Sequence, residues 1–215
     1  MIYEVRIYDV QPHSIPEVEK RFGEAYEYRK KVSPLAAFFH TEIGPLNQII
    51  HIWGYKDMQE RDRLRAEALT ACDGHWPPKI AEFIVAQRTD VFHPFPFSPE
   101  MKPGKLGPYF EMRTYTVANA GEMAKMEKAW AAALPERLKV GPVAGIWRSE
   151  LGALNKFLHI WPYKSLNERN EIRDKARDTG AWPPSVTAKK LGIPYAKIVQ
   201  QENKIVMPSA FSPLQ

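Results

Sequence analysis

The sequence has little that would tie it to an oxidising compartment, a bound metal or a membrane. Only one of its 215 residues is a cysteine, Cys72, so no intrachain disulfide can form. Neither cysteines nor histidines gather at the spacing of a structural zinc site. No apolar run approaches the length of a bilayer crossing, and the opening MIYEVRIYDV alternates charged and apolar residues where a secretory signal would be continuously apolar. A cytoplasmic protein with no membrane partner is expected. The glycine-rich phosphate loop, the nucleophile elbow, the dinucleotide fingerprint and paired histidines one helical turn apart are also missing, which excludes the enzymes that depend on them.

With 44% hydrophobic and 26% charged residues, the chain is a globular protein with material for one large or two small cores. The net charge of +5 suits an anionic ligand but is not by itself the signature of a nucleic-acid binder. Charge is unevenly spread. Residues 1–100 carry 12 Lys and Arg against 15 Asp and Glu, and residues 101–215 carry 18 against 10, so the halves stand at −3 and +8.

An internal repeat sets the organisation of the chain. TEIGPLNQIIHIWGYKDMQER (Thr41 to Arg61) returns as SELGALNKFLHIWPYKSLNER (Ser149 to Arg169), with about half the positions identical. YEVRIY from Tyr3 answers to FEMRTY from Phe110, GHWPP from Gly74 to GAWPP from Gly180, and Phe97-Ser98-Pro99 to Phe211-Ser212-Pro213. The expected division is a first unit at 1–93, a Pro/Gly-rich connector at 94–108 and a second unit at 109–215.

Hydrophobic periods change in the same order in each unit. Ile2 to Val10 alternates as a strand, Pro16 to Val32 has helical spacing, and Leu35–Ile43 and Leu46–Tyr55 read as a hairpin around Gly44-Pro45. Asp57 with Glu60, and Ser165 with Glu168, are capping boxes that start a second helix. Trp76-Pro77-Pro78 opens a short helical turn, and Phe83 to Phe92 closes the unit as a strand. The order βαββαβ, twice, predicts an α+β fold of two ferredoxin-like units packed sheet to sheet as an intrachain barrel, with the helices outside.

Alternation places Glu4, Arg6, Tyr8, Asn47, His51 and Trp53 on one strand face, and Glu111, Arg113, Tyr115, Asn155, His159 and Trp161 on its counterpart. The purely apolar opposite face is expected to meet the helices, which puts the polar set inside the barrel. There Arg6 or Arg113 would bind an anionic or carbonyl oxygen, His51 or His159 would move a proton, with Tyr8 and Tyr115 completing the catalytic set. Trp53 and Trp161 would wall the cavity, with Glu4, Glu111, Asn47 and Asn155 as further binding groups. The plainer alternative is that Glu4 and Arg6 neutralise each other and the histidines are satisfied core residues. Arg61 and Arg65, repeated as Arg169 and Arg173, share a helical face and would clamp either a ligand anion or a carboxylate of the chain itself. No metal site and no cofactor is expected.

The hairpin GPLNQIIHIWGYKDMQER, its copy GALNKFLHIWPYKSLNER, the following tryptophans and the Phe-Ser-Pro ends resemble the NIPSNAP family. The resemblance covers nearly the whole chain as two tandem domains and implies the dimeric α+β barrel group. That group includes cofactor-free monooxygenases, muconolactone isomerase-like enzymes and haem proteins, while the family itself has no agreed reaction. The copies differ: Ala153 replaces Pro45, Pro162 replaces Gly54, and the stretch before the second unit's last strand is longer. Two functions follow from these readings. One is binding or conversion of a small apolar, oxygenated or anionic compound in the barrel. The other is a noncatalytic interaction protein that assembles as a homo-oligomer.

Overall fold

A computed structural model describes residues 1–215. The first lobe comprises β1 (Ile2–Val10), α1 (Ile15–Arg29), β2 (Leu35–Ile43), β3 (Gln48–Tyr55), α2 (Met58–Ala71), a 3₁₀ turn (Ala81–Phe83) and β4 (Ile84–Pro94). The second comprises β5 (Tyr109–Val117), α3 (Ala120–Leu138), β6 (Gly145–Leu151), β7 (Lys156–Tyr163), α4 (Leu166–Asp178), α5 (Pro184–Lys190) and β8 (Ile198–Pro208). The helical turn expected directly at Trp76 forms a few residues later in the first lobe, whereas in the second a true helix starts at Pro184. No helix is long and apolar enough to cross a membrane.

All strand pairs are antiparallel and close a single barrel in the order β1-β3-β2-β8-β5-β7-β6-β4. The lobes join where Thr41 of β2 lies beside Val206 of β8, and where Phe92 of β4 lies beside Ser149 of β6. Closure through these edges leaves no unpaired strand to template association. Both N-caps form: the Asp57 carboxylate accepts the Glu60 N–H at 2.8 Å and the Ser165 hydroxyl that of Glu168 at 3.0 Å, while the Glu60 and Glu168 carboxylates accept the N–H groups of Lys56 and Lys164, one residue before each cap.

The barrel interior is the apolar face of the strands, the reverse of the sequence expectation. Tyr3, Val5, Phe39, Ile50 and Ile52 from the first lobe form one buried cluster with Phe110, Met112, Trp147, Leu158, Ile160 and Val206 from the second. The polar faces with Glu4, Arg6, Tyr8, His51 and Trp53, and with Glu111, Arg113, Tyr115, His159 and Trp161, turn outward beneath the helices. There Tyr8 and Trp53 pack with Val18, Phe22 and Tyr26 of α1, and Tyr115 and Trp161 with Met126, Trp130 and Leu134 of α3. Period-two alternation sorts residues into two faces but does not say which face looks inward. Enclosure decides it, because a barrel sealed by its own strands offers no water to charged groups, whereas the layer under a helix opens to solvent at its rim.

The Phe-Ser-Pro segments cross between lobes. Phe211, at the end of the second lobe, packs 4.7 Å from Phe38 and 6.0 Å from Phe22 in the first, and the Ser212 hydroxyl accepts the Phe38 N–H at 2.9 Å. Reciprocally, Phe97 joins the core of the second lobe and the Ser98 hydroxyl accepts the Ile146 N–H at 2.9 Å. A Cβ on Gly23 of α1 would lie 2.8 Å from the Phe211 ring, so this helix position needs glycine for close approach. Between these anchors the connector plugs the barrel: Met101 joins its core, and its N–H is accepted by the Tyr3 hydroxyl at 2.9 Å.

Candidate functional site

Glu4 on β1 is fully buried, and three arginines surround it. Arg61 lies 2.7 Å and Arg6 3.2 Å from Oε1, Arg65 lies 3.6 Å from Oε2, and the Thr89 hydroxyl donates to Oε1 at 3.2 Å. Burial alone would raise the Glu4 pKa, but the Arg61 hydrogen bond and the surrounding positive charge hold it below the ordinary carboxylate range. The clamp foreseen for Arg61 and Arg65 therefore closes on a carboxylate of the chain itself. Only Ala68 of α2 is buried, so this ion cluster is a principal tie between α2 and the sheet.

The cluster fixes Arg6, whose Nε donates to the Tyr8 hydroxyl at 2.9 Å. Beside it, the indole N–H of Trp53 donates to Nδ1 of His51 at 2.7 Å. An indole nitrogen can only donate, so the neutral His51 ring must carry its proton on Nε2. Nε2 is buried and has no partner in the protein. Burial, with Arg6 and Arg65 adding, pushes the His51 pKa well below its ordinary value, so the ring is neutral at physiological pH. With Nδ1 occupied, His51 offers a neutral N–H donor.

Arg6, Tyr8, His51 and Trp53 converge on a cavity of about 720 Å³ between β-sheet and helices. Arg65 and Leu69 of α2, Phe22 and Arg29 of α1, and Trp76 and Ile80 complete its walls. Three arginines line it and no carboxylate does. Arg29 is the least satisfied of them. It is 2% exposed, stands over the rings of Trp53 and Trp76 at 4.9 and 5.6 Å, and leaves Nε and Nη1 without partners.

The second lobe repeats the construction. Glu111 is held by Arg169 at 2.5 Å, Arg113 at 3.1 Å and Arg173 at 3.6 Å. Arg113 Nε donates to the Tyr115 hydroxyl at 3.0 Å, and Trp161 donates to His159 Nδ1 at 2.5 Å, again leaving a buried Nε2 without a partner. Burial, then Arg113, Arg173 and Arg137, push the His159 pKa well down. The cavity here is about 280 Å³, and Glu111 is part of its lining.

Not every expected residue reaches these cavities. Glu4, Arg61 and Arg169 stay in the ion clusters and do not line the space. Asn47 and Asn155 lie in the hairpin turns, before β3 and β7 begin, with φ of 56° and 59°. Their backbone carbonyls accept the N–H groups of Val10 and Val117. Asparagine is placed there by its tolerance of left-handed backbone, and the alternation that put both among the ligand groups stops at the strand end.

The NIPSNAP family model matches residues 3–99 and, a second time, residues 110–213. The chain belongs to the NIPSNAP family. Among its NIPSNAP relatives, the NipSnap homolog of Dictyostelium discoideum is 26% identical over 211 residues, covering 96% of this chain and 87% of that protein. The crystal structure of a NIPSNAP-like domain protein from Burkholderia xenovorans is 34% identical, covering 46% of this chain and 90% of that one, with a TM-score of 0.42. The putative monooxygenase from Fusobacterium nucleatum matches 97% of this chain and 92% of its own with a TM-score of 0.65, at 9% identity, a likeness of fold.

In this NIPSNAP chain, sequence reasoning passed over Arg29 and Arg137. The signal was there. Val18, Phe22, Tyr26 and Arg29 continue one helical stripe, as do Met126, Trp130, Leu134 and Arg137, so an arginine ends an apolar face in both lobes. Trp76 and Trp182, the tryptophans of the two Trp-Pro-Pro segments, also line the cavities.

Proposed function

We propose that the first lobe binds an apolar compound of roughly drug size bearing an anionic oxygen. The anion faces Arg6, Arg65 and the Nε2–H of His51, and the apolar body lies against Phe22, Trp53, Trp76 and Ile80. The observation that carries the proposal is the His51 donor: buried, neutral, locked in one tautomer by Trp53, and without an acceptor inside a carboxylate-free arginine wall. A buried donor left unmatched costs about 1–3 kcal/mol, which a ligand oxygen would recover. The volume of about 720 Å³ falls within the range of about 300–1,000 Å³ typical of small-molecule sites.

The same donors would stabilise an enolate or phenolate, the charge distribution that cofactor-free oxygenase- or isomerase-like chemistry requires. His51 would act there by donating a hydrogen bond, since its depressed pKa and its occupied Nδ1 both oppose proton uptake.

Titration with 2-naphthoate and with its neutral amide, followed by tryptophan fluorescence, tests the reading. Charge recognition predicts at least about tenfold tighter binding of the acid and a similar loss in Arg65→Met. Equal affinity for acid and amide would remove the proposal.

A further inference from the structure

The second lobe does more than echo the first. Its cavity is lined by His159 and Trp130, and each carries a buried N–H donor without a protein partner, Nε2 of His159 and the indole Nε1 of Trp130. The two rings stand 4.7 Å apart, and His159 is 2% and Trp130 1% exposed. In the first lobe the position of Trp130 is held by Phe22, seven residues before the stripe-ending arginine in each case, so the second donor is particular to this lobe. Arg113 and Arg173 line the same space and supply positive charge.

The room left for a ligand body is small. Tyr195 stands three residues before β8, where the first lobe has Ala81 three residues before β4, and both line their cavities. Its phenol, with a pKa pushed by burial up to about 12, remains protonated. Tyr195 and the larger ring of Trp130, with Pro184 and Ser185 of α5, wall a cavity of about 280 Å³, below the range of about 300–1,000 Å³ that takes drug-sized molecules.

We propose that the second lobe carries a separate site for a small carboxylate, held between the Trp130 and His159 N–H groups beside Arg113, with Tyr195 setting the size limit. The proposal extends the first-lobe reading to another ligand class but stands on its own pair of donors. Each has a neutral N–H to give, and a carboxylate, with two acceptor oxygens, satisfies both at once. Glu111, in the same lining, does not fill this role: its Oε1 is held by Arg113 and Arg169, its Oε2 lies 3.6 Å from Arg173, and neither N–H donor reaches it.

Nitrogen-edited NMR of the indole N–H groups in the full chain, assigned by single Trp→Phe variants, separates the two sites, with butanoate and 2-naphthoate as probes. Butanoate should shift the Trp130 and Trp161 signals, and 2-naphthoate should leave both unmoved. Trp130→Phe, which deletes one donor, should weaken butanoate binding by about tenfold or more at Trp161. Tyr195→Ala should admit 2-naphthoate to Trp130 and Trp161, while Tyr195→Phe, of the same size, should not. Trp130 and Trp161 signals unmoved by saturating butanoate, or unchanged butanoate affinity in Trp130→Phe, would overturn the site. A Trp53 signal silent to 2-naphthoate, beside a Trp161 signal that responds to butanoate, would instead sink the first-lobe reading and leave this one intact. The dispersion of the remaining indole signals shows whether each variant is folded.

Discussion

The two lobes share one scaffold and one set of head groups, yet their cavities differ from about 720 to about 280 Å³. Distances within the ion clusters repeat to within about 0.2 Å: 2.7, 3.2 and 3.6 Å around Glu4 against 2.5, 3.1 and 3.6 Å around Glu111. The divergence lies in the walls. Phe22 becomes Trp130, Ala81 becomes Tyr195, and eight positions from Trp76 to Ile84 become sixteen from Trp182 to Ile198, enough to add α5 against α3. Arg29 leaves two nitrogens free, whereas the corresponding Arg137 donates to the Gly141 carbonyl at 3.1 Å. The comparison separates two jobs that a single copy would confound. Groups that bind the sheet to its helix are kept in both halves, and groups that shape the cavity are free to change.

The largest test concerns the shared part. Replacing Glu4 or Glu111 by Gln leaves three arginines around a neutral amide, and each variant should lose about 3–5 kcal/mol in chemical denaturation. Because the two clusters match, the losses should agree to within about 1 kcal/mol; a clearly larger gap would break the equivalence. Next comes the exchanged aromatic. Phe211→Ala and Phe97→Ala should each cost about 2 kcal/mol, since both rings are half-buried. Only Phe211→Ala should also disturb the first cavity, through Phe22.

Acid should act on both lobes together. The folded pKa values of His51 and His159 lie below the unfolded value of about 6.5, so the unfolded chain takes up protons first. Stability is therefore full above that pH and falls as pH drops below it, by up to about 1.4 kcal/mol per pH unit for each ring. His51→Gln, which keeps an acceptor for Trp53, should halve the slope of denaturation midpoint against pH between about 6.5 and 5; an unaltered slope would show that His51 does not titrate this way. The smallest effect on stability should come from Ala81→Tyr, within about 0.5 kcal/mol at this exposed position. Its effect on 2-naphthoate binding in the first lobe should be a loss of at least about tenfold.

Much of this architecture was legible in the sequence because each signal is local. Strand alternation, the Asp57–Glu60 and Ser165–Glu168 boxes and the duplicated hairpin all depend on residues a few positions apart. What could not be read is which side of a strand is enclosed. Ile50 and Ile52 are apolar enough for either layer, and only closure of β2 on β8 and β4 on β6 assigns them to the barrel. Of the candidate site, Arg6, Tyr8, His51, Trp53 and their second-lobe counterparts do come together, but around cavities outside the barrel. Asn47 was misplaced because the turn interrupts the alternation one residue before β3. Arg29 was missed because a charged residue ending an apolar stripe reads as a helix end, and only the fold shows it roofed by two indoles.

The crossing of Phe97 and Phe211 has a consequence for how the molecule must come together. Neither half is finished by its own residues, so a chain severed at the connector would yield two fragments, each missing a wedge of its core and obliged to find the other by diffusion. Covalent tethering replaces that encounter with an effective concentration on the order of millimolar, independent of how dilute the protein is. Joining the two lobes in one chain thereby makes assembly of the barrel insensitive to expression level, and leaves the walls of each pocket free to diverge without losing its mate.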